Sequence, residues 1–143
     1  FEENLKIFPY KNRDIFRCGL SEKNKDGAPI RLNGYAPGFN IFSAEMNNIR
    51  LPLRTIDYLV DSGEIEKINF LKLDVEGSEM ATLRGARNSI DRFKPKLAIS
   101  IYHKPDDFFE IINYIKENHK YYKLYVDHYT VHREETVVYG LPY

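Results

Sequence analysis

Apolar positions change their period several times along this chain, and the changes mark its elements. Ile68 to Val75 (INFLKLDV) and Leu97 to Tyr102 (LAISIY) are nearly unbroken apolar runs, as in strands buried on both faces. Between them Met80, Leu83, Ala86, Ile90 and Phe93 recur at steps of three and four, which predicts one amphipathic helix closed by Pro95. Beyond the second run, Pro105 stands at a helix start, and Phe108, Ile111, Ile112 and Ile115 form that helix's apolar face. Tyr121–Val126 and Thr136–Tyr139 predict two final strands, with the polar stretch Asp127–Glu135 between them. Buried strands alternating with amphipathic helices imply an α/β fold with a parallel sheet flanked by helices. The last two strands, joined by a short connection, are expected to be antiparallel.

The first half is less regular. Phe1, Leu5 and Phe8 have helical spacing, and Pro9 ends the segment. Asp14–Leu20 (DIFRCGL) reads as a strand, Asn24–Gly27 as a turn and Ile30–Leu32 as a short strand. Asn33–Asn40 carries two glycines and a proline and reads as loop; Ile41–Phe42 and Arg50–Leu53 are expected to pair antiparallel. Thr55 is an N-cap candidate for a short helix that buries Ile56, Leu59 and Val60 and ends at Gly63. A chain that opens inside a helix at Phe1 suggests an N-terminal truncation.

Composition narrows the function classes. The 143 residues fit one domain, and a chain of this length covers roughly two thirds of its unfolded surface without staples. Lys+Arg and Asp+Glu are both 21, so no net charge draws the chain to nucleic acid or an anionic membrane. The basic residues are scattered among acids, which gives nucleic-acid binding little support. One cysteine excludes a disulfide framework and a multi-Cys zinc site and suits a reducing compartment. No apolar run approaches the roughly 20 residues of a membrane span. The expected location is therefore the cytoplasm.

In parallel sheets, ligands bind beyond the carboxyl ends of the strands. That points to Gly19–Glu22, Asp74–Glu79 and Tyr102–Asp107. In LKLDVEGSE, Asp74 and Glu76 are two apart, and Glu79 falls in the first turn of the following helix. A carboxylate at a strand end can take a proton from a hydroxyl nucleophile. Two carboxylates beside an imidazole can hold Mg²⁺ or Ca²⁺. The plainer reading is a helix-capping turn whose acids satisfy backbone N–H groups, and spacing alone favours it. Gly77 supplies either a positive φ or a plain turn. His103 follows the second buried strand, where a base would stand; a solvated loop histidine is the plainer reading, and position alone favours it. His128 and His132 have a metal-type spacing only on a helix, and here they sit between strands. His119, near a helix end, is explained by the dipole. Cys18 lies in a strand beside Arg17 and reads as an inert thiol. No metal ligand set is assigned.

The stretches TIDYLV (55–60), INFLKLDVEGSEMATLRGA (68–86), KPKLAISIYHKPDD (94–107), YKLYVDHYT and ETVVYG resemble the FkbM family of S-adenosylmethionine-dependent methyltransferases. KLDVEGSE followed by LRGA is the heart of the match. The resemblance implies a class I methyltransferase-like (Rossmann-like) α/β sheet, mostly parallel, with an antiparallel C-terminal hairpin. The family's first strand with its glycine-rich loop, and its second strand with a ribose-holding acid, have no counterpart here. Residues 1–143 then form a single domain that is the C-terminal part of a methyltransferase domain, expected to be inactive alone. An exposed sheet edge, or a second copy covering it, is expected where those strands would pair.

By the same resemblance, Gly19, Leu20 and Ser21 form the loop near the adenine ring of S-adenosylmethionine. Asp74 lies close to the methyl donor, and Glu76 and Glu79 belong to the same motif. His103 faces the acceptor, and Asp74, Glu76 and His103 are the catalytic candidates. The implied reaction is methyl transfer to a hydroxyl oxygen of a small molecule or sugar, with neither nucleic acid nor membrane as partner. The competing reading is a non-catalytic interaction module on the same scaffold.

Overall fold

The computed structural model describes residues 14–29, 50–132 and 134–143. The expected helix at Phe1–Phe8, the strand Ile30–Leu32, the loop Asn33–Asn40 and the strand Ile41–Phe42 lie outside the described residues. The elements are β1 Gly19–Leu20, β2 Lys25–Pro29, β3 Arg50–Arg54, α1 Ile56–Asp61, β4 Phe70–Leu73, α2 Glu79–Arg84, α3 Arg87–Phe93, β5 Lys96–Ser100, α4 Asp107–Asn118, β6 Tyr122–His128 and β7 Thr136–Pro142. They form a mixed α/β fold with a three-stranded sheet, order β1-β3-β2, and a four-stranded sheet, order β4-β5-β7-β6. β1 and β3 are parallel, as are β4 and β5; the remaining pairs are antiparallel.

Apolar burial organises the four-stranded sheet. Leu73, Leu97, Ile99 and Val138 from the strands meet Leu83, Ile90, Ile111 and Ile115 from the helices, all at most 1% exposed. Each such side chain contributes about 1.5–3 kcal/mol through removal from water. Register follows from the pleat: Leu71 opposes Leu97 and Leu73 opposes Ile99, so β4 and β5 bury matching positions. The C-terminal hairpin runs from Tyr122↔Pro142 to His128↔Thr136. It is longer than expected, because the pairing continues through Asp127 and His128 in β6 and through Gly140, Leu141 and Pro142 in β7.

Several expectations need correction. The strand expected over Asp14–Leu20 is confined to Gly19–Leu20, which pair with Leu53 and Arg54 of β3. The turn expected at Asn24–Gly27 is a strand with a bulge. Lys25 opposes Leu53 and Ala28 opposes Leu51, leaving one extra residue, and Gly27 absorbs it at φ 59°. The antiparallel partner of Arg50–Arg54 is thus β2. The helix expected from Met80 to Phe93 is two helices, interrupted at Gly85 and Ala86, where the Gly85 carbonyl accepts the Asp57 N–H at 2.9 Å. Asp57 goes further and caps α3: its carboxylate accepts the N–H groups of Asn88 and Ser89 and the Ser89 hydroxyl. Thr55 caps α1 as expected, with Oγ1 accepting the Tyr58 N–H at 2.9 Å.

Among the described residues β4 pairs only with β5, so its other edge is open, and Phe70 is 56% exposed. A cavity of about 460 Å³ adjoins this edge, lined by Phe16, Leu20, Ile56, Leu59, Ile65 and Leu71 among others. Cys18, Lys67 and Asn69 are the polar members of its lining, and none of Asp74, Glu76 or His103 reaches it. Among the described residues no helix is long and apolar enough to cross a membrane.

Candidate functional site

The side chains with chemistry gather where β4 and β5 end. Beyond Leu73 the chain passes Asp74 and Val75 and reverses through Glu76 (φ 51°) and Gly77 (φ 91°) before α2 begins. Glycine tolerates a positive φ, whereas Glu76 holds one at a cost of about 1–3 kcal/mol. The reversal swings Glu79 back under the strand, where it is fully buried and its Oε1 accepts the Val75 N–H at 2.9 Å. The Lys104 ammonium donates to the Gly77 carbonyl and ties this turn to the loop after β5.

That loop delivers His103, whose side chain is 11% exposed. Its Nε2 lies 3.4 Å from Glu76 Oε2 and 3.7 Å from Asp74 Oδ1. Its Nδ1 lies 2.8 Å from Glu79 Oε1, yet makes no hydrogen bond. The pair is close but out of line. Asp74 is bounded by Lys72, which donates to Oδ2 at 2.9 Å, and by the hydroxyls of Ser100 and Tyr102, 3.2 and 3.3 Å from Oδ1.

Electrostatics divide the roles. Burial pushes the Asp74 carboxyl up, but the hydrogen bond and charge of Lys72, the Ser100 hydroxyl and the His103 ring outweigh it and hold the group below its usual range. Asp74 is therefore ionised at neutral pH. Burial and the neighbouring Asp74 charge push the Tyr102 phenol up to about 12. Tyr102 thus remains a donor to Asp74 at any ordinary pH. Burial likewise raises the half-buried Cys18 thiol, which stays protonated.

The three catalytic candidates, Asp74, Glu76 and His103, converge in one cluster. The loop candidates do not join it. Gly19 packs on Leu53, and the Ser21 N–H donates to the Arg54 carbonyl at 3.0 Å. The backbone of Ser21 lies against Gly85, at the far end of α2 from Glu79. A six-residue helix separates the two places by about 9 Å along its axis.

Ser100 is the site neighbour that sequence reasoning did not name; Glu79 and Tyr102 entered only as members of the stretches Asp74–Glu79 and Tyr102–Asp107. Strand alternation carried a signal for Ser100, which ends β5 two residues before Tyr102, and both hydroxyls reach Asp74 Oδ1. The remaining histidines stand elsewhere. His128 lies in the hairpin, its Nδ1 2.8 Å from Thr136 Oγ1. His119 is buried at the end of α4, its Nδ1 2.8 Å from Asp91 Oδ1. Among the described residues, the one group of three metal-type ligands is Asp74, Glu79 and His103.

Known proteins resemble this chain. A hexuronic acid methyltransferase, AglP of Haloferax volcanii, is 38% identical over 80 residues, which is 52% of this chain and 30% of that protein. The crystal structure of a methyltransferase FkbM from Methylobacillus flagellatus KT superposes with a TM-score of 0.65 at 30% identity, covering 87% of this chain and 27% of that one. The chain spans less than a third of the length of either relative. The family pattern described as the methyltransferase FkbM domain matches residues 11–123, most of the sequence, and the chain belongs to that family.

Proposed function

We propose that the protein containing this chain transfers a methyl group from S-adenosylmethionine to a hydroxyl oxygen of a small molecule or sugar. The observation carrying this reading is the convergence of Asp74, Glu76 and His103 at the carboxyl ends of β4 and β5 in a member of the FkbM family. The relative named for hexuronic acid supports a saccharide acceptor.

The residues suit the cofactor. An ionised Asp74 with Glu76 and Glu79 nearby complements the positive sulfonium. The half-buried Gly19–Ser21 loop, about one short helix away, suits the adenine at the other end of an elongated cofactor. When bound, S-adenosylmethionine supplies a methyl carbon whose bond to sulfur breaks, the electron pair staying on sulfur, as the acceptor oxygen bonds to it. The chain's own part is alignment and proton removal. Ser100, Tyr102 and Lys72 fix the Asp74 carboxylate, and the proton from the acceptor hydroxyl passes into the Asp74, Glu76 and His103 cluster.

Asp74→Asn tests the assignment. Turnover is expected to fall about 10²–10⁴-fold, the range of general base and charge effects, while circular dichroism and melting show an intact fold. Full turnover in a folded Asp74→Asn variant overturns the reading. Calorimetry with S-adenosylmethionine then separates lost cofactor binding from lost chemistry.

A further inference from the structure

We propose that Asp74, Glu79 and His103 form a binding site for one six-coordinate divalent cation of the Mg²⁺ or Mn²⁺ class. One potential ligand atom from each residue lies within 4.8 Å of the others. Acidic groups cluster on many surfaces without holding ions, so the weight rests on two buried atoms. Glu79 is 0% exposed, and its Oε2 has no hydrogen-bond partner. His103 Nδ1 is also buried and makes no hydrogen bond. Buried polar atoms are seldom left in this state, and a cation held by His103 Nδ1 and by both oxygens of the Glu79 carboxylate partners the two orphans together.

The spacing supports the same conclusion. His103 Nδ1 and Glu79 Oε1 stand 2.8 Å apart but out of line for a hydrogen bond. Two adjacent ligands of an octahedral cation held at about 2.0–2.1 Å are separated by about 2.9 Å, which is one edge of the octahedron. The neighbouring atoms fit a second shell. With Nδ1 as ligand atom, Nε2 carries the hydrogen and faces Glu76 Oε2 at 3.4 Å, the carboxylate that orients a metal-bound imidazole. The Val75 N–H on Glu79 Oε1 and the Ser100 and Tyr102 hydroxyls on Asp74 Oδ1 fix the two carboxylates. Lys72 holds Asp74 Oδ2, so the cation takes the Oδ1 side.

The ligand set selects the ion. Two hard oxygens and one imidazole suit Mn²⁺ or Mg²⁺ with water at the open positions, whereas Ca²⁺ prefers more oxygen ligands and structural zinc prefers Cys and His. The inference uses the same residues as the proposed methyl transfer but goes beyond it. The proton balance of that reaction is unchanged, because Glu76, 76% exposed, remains open to receive the hydroxyl proton.

Manganese alone is the probe. Titration of the protein with Mn²⁺, followed by loss of the free-ion electron paramagnetic resonance signal, is expected to give one site per chain that Mg²⁺ displaces. Glu79→Gln, nearly isosteric, and His103→Ala, at the solvent margin, are each expected to weaken binding at least tenfold. Asp91→Asn, which lies outside the cluster, is expected to leave it unchanged. If Glu79→Gln does not fold, His103→Ala carries the comparison. Absence of Mn²⁺ binding at millimolar concentration, or binding that His103→Ala leaves intact, overturns the site. Failure of the site and of the methyltransferase reading are distinct outcomes. Turnover that persists under chelation, without Mn²⁺ binding, removes the cation alone. Variant-sensitive Mn²⁺ binding without methyl transfer supports the cation and removes the reaction.

Discussion

Gly85→Ala isolates a contact between the loop at Ser21 and the helix that begins with Glu79. Gly85 has φ −77° and ψ −1°, ordinary helical values that alanine adopts without strain. On backbone grounds alone the substitution would stabilise by about 0.4–1 kcal/mol, since alanine has fewer unfolded conformations to lose. Space decides otherwise. A Cβ there would stand 2.1 Å from the Ser21 carbonyl oxygen, 3.1 Å from its carbon and 3.2 Å from Glu22 Cα. The first of these is more than 1 Å inside ordinary contact, which begins at 3.4 Å, and the obstacle is backbone.

Neither side yields easily. The Ser21 N–H is held by the Arg54 carbonyl, and the Asn24 side chain accepts the Thr55 N–H. Opposite, the Gly85 N–H donates to Ala81 and its carbonyl accepts from Asp57. Forcing an extra carbon into a packed contact costs about 1–3 kcal/mol, and backbone against backbone belongs at the upper end. Net destabilisation of about 2 kcal/mol corresponds to a melting point lower by roughly 6 °C in a chain of this size. Thermal unfolding followed by circular dichroism reads it directly. A Gly85→Ala melting point equal to or above that of the parent refutes the argument, because the entropic gain would then be unopposed. The same displacement moves the Gly19–Ser21 loop, so S-adenosylmethionine binding is expected to weaken although no residue of the acidic cluster has changed.

Two further outcomes follow from the geometry. Gly77→Ala places a side chain at φ 91° and brings Cβ to 3.3 Å from Lys104 Cε; a stability loss of about 1–2 kcal/mol is expected in denaturant titration, with lower turnover, and an unchanged midpoint would contradict it. Burial pushes the Asp91 carboxyl up, but the hydrogen bonds from Tyr121 and His119 and the His119 charge outweigh it and hold the group below its usual range. A depressed carboxyl contributes stability above its unfolded value, about 3.9, and loses it as pH falls through the folded value. Melting points measured from pH 6 down to 3 should fall less steeply in Asp91→Asn than in the parent, and parallel curves would count against the pairing.

The parts legible in the sequence are those whose signal is local or periodic. The paired apolar runs became β4 and β5, the Thr55 cap holds α1, and the acidic turn lies at the carboxyl end of its strand. What escaped detection depends on distant backbone. Steps of three and four continue through Gly85 and Ala86, so the break there is invisible until Asp57 reaches across to both Gly85 and the start of α3. Gly27 gives the same signal in a bulge as in a turn, and only the partner strand tells them apart. At the site, Asp74, Glu76 and His103 were legible because they sit at strand ends. Glu79 was legible only as a member of the same acidic motif, because its spacing is that of any helix-capping acid.

Glu79 is also where the plain capping account can be tried against a control inside the same molecule. Asp107 opens α4 as Glu79 opens α2: both are buried, and both accept a backbone N–H from a few residues earlier, Lys104 for Asp107 and Val75 for Glu79. Capping accounts for Asp107, which leaves no orphaned buried oxygen. It accounts for only half of Glu79, whose second oxygen is buried without a partner beside an equally orphaned imidazole nitrogen. The approach differs as well. Glu79 is reached through two successive positive φ angles, one of them at a glutamate, while the turn Tyr102–Asp106 that leads to Asp107 has none. Local rules broken together at a strand's carboxyl end, and kept at the neighbouring helix start, are the pattern expected where a fold gives up stability for binding. A turn needed only to start a helix could have been built like the one at Asp107.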